Sequence, residues 1–97
     1  MYLEVTDFFD VWGNKKDGWE VNNQCHDYYK VRKMELTRKS VLRFLKRIDF
    51  IKKTVRIDSI KWEEMDSGYI LNTREYCPVC IIEIAPDYIT DKDCKNV

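Results

Sequence analysis

The chain has 97 residues and a formal net charge of zero, with 44% hydrophobic and 35% charged residues, enough for a single domain with a modest core. Its apolar runs are only a few residues long, which excludes a membrane-spanning helix. The acidic start MYLEVTDFFD lacks the basic and apolar stretches of a secretory signal, so a cytoplasmic protein is expected.

Charge is distributed in blocks. Residues 1–29 carry two lysines against six acids, net −4, and residues 57–97 carry four bases against nine acids, net −5. Between them, residues 30–56 hold eleven Lys or Arg against Glu35 and Asp49, net +9. Such a basic middle either neutralises its acidic flanks within the fold or offers one positive face to a partner.

The first predicted element is a strand over residues 2–12, where Leu3, Val5, Phe9 and Val11 alternate with Glu4, Thr6 and Asp10. Asp7 interrupts the apolar side of that alternation and suggests a bulge or an edge position. GNKKDG, residues 13–18, is a strong turn. A short strand over residues 19–22 returns from it and ends at Asn22, Asn23 and Gln24. A third strand is expected over residues 27–36.

The clearest periodicity lies in residues 37–53, TRKSVLRFLKRIDFIKK, which predict an amphipathic helix. Its stripe is Val41, Leu42, Phe44, Leu45 and Ile48, with Phe44, Leu45 and Ile48 expected on the sheet and Val41 and Leu42 at the margins. Thr37 or Ser40 can cap its first amides, and Arg47, Lys52 and Lys53 suit the negative end of its dipole. Strands follow over residues 54–63, with a bulge expected at Asp58 and Ser59, over residues 69–71 beyond the turn at Met65 to Gly68, and over residues 78–84. The polar tail 90–97 is expected to fray, leaving residues 1–89 as the domain. This order predicts an α+β fold, a mainly antiparallel sheet of five to six strands with one amphipathic helix on one face.

Four constellations could carry chemistry. Cys77 and Cys80 form a CxxC pair that Cys25 and His26 could complete as a Cys3His zinc site. The pair leads into a strand rather than a helix N-terminus, which argues against a redox role, and with no second ligand half no metal or cofactor is expected. Two acidic groups, Asp7 with Asp10 and Glu63, Glu64 with Asp66, offer carboxylate pairs but no hydrolase signature, so no catalytic residue is assigned. Arg38, Lys39, Arg43, Lys46 and Arg47 form a basic helix face, interleaved with Tyr28, Tyr29 and Phe44, that suits a nucleic acid or, on the plainer reading, is a solvated face beside an aromatic strand. Asn14, Asp17 and Trp19 mark the hairpin tip as a contact element, with Trp12 and Trp19 expected to clamp the turn from flanking strands.

The stretch DVWGNKKDGWEVNN, residues 10–23, followed by a strand, an amphipathic helix and a late strand after Cys77-Pro78, resembles a group of small phage- and prophage-encoded proteins. The resemblance implies an infected bacterial host as the setting and a host protein or protein–nucleic-acid complex as the partner. Inhibitors of host defence, including anti-CRISPR proteins, are of this kind. The expectation is a binding module rather than an enzyme. Direct nucleic-acid binding through the helix and a zinc-stabilised module are the alternatives.

Overall fold

A computed structural model describes residues 1–14, 16–73 and 80–95, apart from the side chains of Asp10, Val11, Val21, Asn22 and Thr73. The strands are β1 (Tyr2–Asn14), β2 (Gly18–Lys30), β3 (Ile60–Met65), β4 (Gly68–Thr73) and β5 (Cys80–Ile84), with one helix, α1 (Arg38–Arg47), between β2 and β3. They form a five-stranded sheet in the order β2-β1-β5-β4-β3, every neighbouring pair antiparallel. The fold is α+β, as the element order predicts.

The first hairpin is longer and more regular than the sequence suggests. Pairing runs from Tyr2↔Lys30 to Asn14↔Gly18 in one constant register, so Asp7 causes no bulge and sits between Cys25 and Cys80. The short strand at 19–22 and the third strand at 27–36 are corrected to a single β2. Asn23 and Gln24, read as strand-ending residues, stay in the ladder because β1 supplies Phe9 and Phe8 opposite them. Long-range pairing overrides a weak local preference. Beyond β2 the chain leaves the sheet, and residues 31–37 are irregular.

Because side chains alternate across a strand, register assigns each residue a face. Leu3, Val5, Tyr29, Leu71, Cys80 and Ile82 fall on one face and share a buried cluster with Val41, Leu42, Phe44 and Leu45 of α1. Tyr29 and Phe44 meet edge to face, with ring centroids 5.5 Å apart. Val41 and Leu45 are fully buried while Ile48 is only partly so, which shifts the centre of the apolar stripe about one turn toward the helix start.

Thr37 and Ser40 form a reciprocal capping box at the N-terminus of α1. The helix ends at Arg47, well before the expected Lys53. Asp49 adopts a left-handed conformation with φ of 58°, and the Asp49 and Phe50 amides donate to the carbonyls of Lys46 and Leu45. This is a Schellman stop built on Asp rather than Gly. The expected strand at 54–63 begins only at Ile60, after a single 3-10 turn at Ile57–Ser59.

Residues 90–95, expected to fray, cross back to β2. Tyr2 Oη donates to Asp91, and Lys30 Nζ lies 3.1 Å from the same carboxylate. Cys94 bridges Tyr28 in parallel, the Lys95 amide donates to the Tyr28 carbonyl at 2.8 Å, and Lys95 Nζ lies 3.3 Å from Asp27. Backbone groups on the open edge of β2 supply the partners that a polar tail needs.

Candidate functional site

Among the described residues β5 pairs with β1 from Leu3 to Asp7 only, whereas β2 pairs with β1 along the strand from Tyr2 to Asn14. Among the described residues, 8–14 and 16–24 therefore extend past β5 as a two-stranded arm. Its tip is built locally. The Asn14 side chain accepts from the Lys16 and Asp17 amides at 2.9 and 2.7 Å and donates to the Asp17 carboxylate at 3.0 Å. Gly13 and Gly18 both have positive φ, and a Cβ on Gly13 would lie 2.3 Å from the Gly18 carbonyl oxygen. Asn14 and Asp17 thus shape the tip.

Three of the arm's four aromatic residues are uncovered, Phe9 at 44%, Trp12 at 50% and Trp19 at 39% exposure, while Phe8 is half-buried. Trp12 lies opposite Glu20 and donates to its carboxylate at 2.7 Å, while Trp19 lies opposite Gly13 on the other face. The two tryptophans consequently do not clamp the turn together. Trp19 shares its face with Phe9, and this face continues the one on which Leu3 and Val5 share a buried cluster with α1 residues.

The basic residues of α1 separate into three environments. Arg38 pairs with Glu64 at 3.4 Å, and the Arg47 guanidinium lies 5.4 Å from the centre of the Phe44 ring. Lys39, Arg43 and Lys46 instead line a groove of about 690 Å³, facing a second bank that carries Lys53 and Arg56. Leu42, Val55 and Ile57 supply its apolar lining, and among the described residues Asp58 is its only acid. Among the described residues none of these five cations has an ion-pair partner. Arg56 escaped the sequence reading because no helical spacing connects it to α1; only the return of the chain after Asp49 places it there.

The proposed zinc ligands do not converge as one set. Cys25 and His26 are consecutive in β2, so their side chains leave on opposite faces. His26 Nδ1 lies 2.8 Å from Glu4 Oε1 and 3.0 Å from Thr6 Oγ1. Cys80 is fully buried on the other face, where burial, and secondarily the nearby Asp7, push its thiol up to about 12. That is an inert thiol rather than a nucleophile. Cys77 lies outside the described residues.

Of the carboxylate candidates, the Asp10 side chain lies outside the described ones. Glu63 and Glu64 point to opposite faces of β3, and Glu64 is held by Arg38. Asp7 has its pKa raised, chiefly by burial and then by Asp27. Its neighbours Cys25 and Cys80 share its face but make no metal cluster among the described residues.

An antiparallel α+β sheet with a projecting arm and a cationic groove defines the architecture. No protein-family model, curated protein or solved structure matches the chain. No helix among the described residues is long and apolar enough to cross a membrane.

Proposed function

We propose that the protein is a small binding module whose arm docks on a protein partner, in the manner of phage proteins that inhibit or modulate a host complex, the anti-CRISPR proteins among them. One observation carries this reading: Phe9 and Trp19 stand exposed on the sheet face where, nearer the root of the hairpin, Leu3, Val5 and Tyr29 share a buried cluster with α1 residues. Large aromatic residues on a rigid scaffold are the side chains that most often dominate protein interfaces. Asn14, Asp17 and the two glycines hold the tip in shape, which lowers the ordering cost of binding. The hairpin motif of residues 10–23 and its phage-type resemblance supply the setting, the cytoplasm of an infected bacterium. The reading requires no catalytic group.

The test is capture from bacterial lysate by the tagged protein, with and without nuclease, beside a Phe9→Ser, Trp19→Ala double variant. The expected result is a protein retained through nuclease treatment whose affinity falls at least tenfold in the variant. Retention that disappears with nuclease would transfer the function to direct nucleic-acid binding. Retention that the double variant leaves unchanged would remove the arm from the interface.

A further inference from the structure

We infer that the groove between α1 and residues 53–58 is a second binding site, one that takes an acidic peptide segment of a protein partner with an apolar side chain between its carboxylates. This rests on the protein-binding reading above and adds the chemistry of what is bound.

Three features support it. Lys39, Arg43 and Lys46 follow helical i, i+4, i+7 spacing and so stand in one row, with Lys53 and Arg56 opposite. Cations on both banks make a channel of positive potential that attracts and orients an anionic chain. Their charges are uncommitted within the described structure, unlike those of Arg38 and Lys30, which have carboxylate partners. The apolar lining of Leu42, Val55 and Ile57 gives an aliphatic or aromatic side chain a place to be buried. Charged rims around an apolar centre are the ordinary anatomy of a protein interface.

The same features disfavour a nucleic acid. A helix that reads duplex DNA projects into the major groove, whereas these cations line a concavity with a second bank beside the helix. Single strands are held by aromatic side chains on which bases stack, and among the described residues no aromatic side chain lines this groove.

The experiment is fluorescence anisotropy with a labelled peptide of Glu residues around a central Leu-Ile pair, the same peptide with Gln for Glu, an oligo-dT strand and a short DNA duplex. The intact protein should bind the acidic peptide at least tenfold more tightly than the Gln peptide, with affinity falling as salt rises. Arg43→Glu with Lys46→Glu, and separately Lys53→Glu with Arg56→Glu, should each weaken it at least tenfold. Circular dichroism reports folding, and Lys39→Gln with Lys46→Gln provides a milder pair should a reversal disturb the helix; that pair should weaken binding several-fold. The Phe9→Ser, Trp19→Ala variant should bind the peptide as the parent does, which separates failure of this site from failure of the arm. Equal binding of the Gln peptide, tighter binding of either DNA, or indifference to changes on the 53–56 bank would overturn the inference.

Discussion

The two ends of the β1–β2 hairpin are built from the same strands in the same register, yet they differ in what covers them. At the root, Leu3 and Val5 are 0% and 1% exposed, with β5 beside them and α1 residues in the same buried cluster. In the arm, Phe9 lies on the same face but is 44% exposed: among the described residues β5 pairs with β1 no further than Asp7, and Phe9 is not part of the buried cluster. The alternation of apolar residues is alike in both. Burial follows from neighbours supplied by distant parts of the chain, and an apolar strip without such neighbours is available to another molecule.

The strongest way to break this comparison is by truncation. Leu3→Ala should destabilise by about 2–5 kcal/mol, the cost of emptying a well-packed site. Phe9→Ala should change stability by no more than about 0.5 kcal/mol. Urea midpoints measure both, and equal shifts would mean that the arm is covered in solution. Leu45→Ala should behave like Leu3→Ala, since it empties the same cluster from the helix side.

A second change separates the ends in cooperativity. Gly13→Ala introduces a methyl group into the Gly18 carbonyl at a backbone angle that L-residues rarely adopt. The expected cost is about 1–3 kcal/mol, confined to the arm. Amide hydrogen exchange should accelerate over residues 8–24 and stay slow at Leu3, Val5 and Tyr29. Uniform acceleration would show that root and arm unfold as one unit.

The subtlest probe is Asp7, the last β1 residue paired with β5 among the described residues and the point where root gives way to arm. Burial, then Asp27, raises its pKa, so the folded state holds this proton more tightly than the unfolded state does. Its contribution is favourable below the ordinary carboxylate range and is lost as pH rises through the raised folded value. Asp7→Asn should therefore stabilise the protein at neutral pH, with the advantage closing as acid protonates the wild-type carboxyl. Thermal melts across that range check it, and an advantage that grows in acid would contradict the burial of this group.

Much of the local architecture was legible in the residues. Gly13, Asn14, Asp17 and Gly18 specify the tip through turn chemistry that needs only near neighbours. Thr37, Ser40 and the stripe from Val41 to Leu45 specify a capped amphipathic helix in the same way. What depended on distant partners was read less well. β2 continues through Asn23 and Gln24 because β1 pairs with them. The helix stops at Asp49, where a residue other than the usual glycine accepts the left-handed turn while Phe50 and Ile51 join residues packed on the core. Among the site residues, the row on α1 was visible from its spacing, but Arg56 became part of the groove only when the chain folded back beside the helix. Side-chain type and spacing determine what one segment can form. Which strip is covered, which cations gather and which tail finds an edge are decided by contacts between residues far apart in the chain, and these exist only in the tertiary structure.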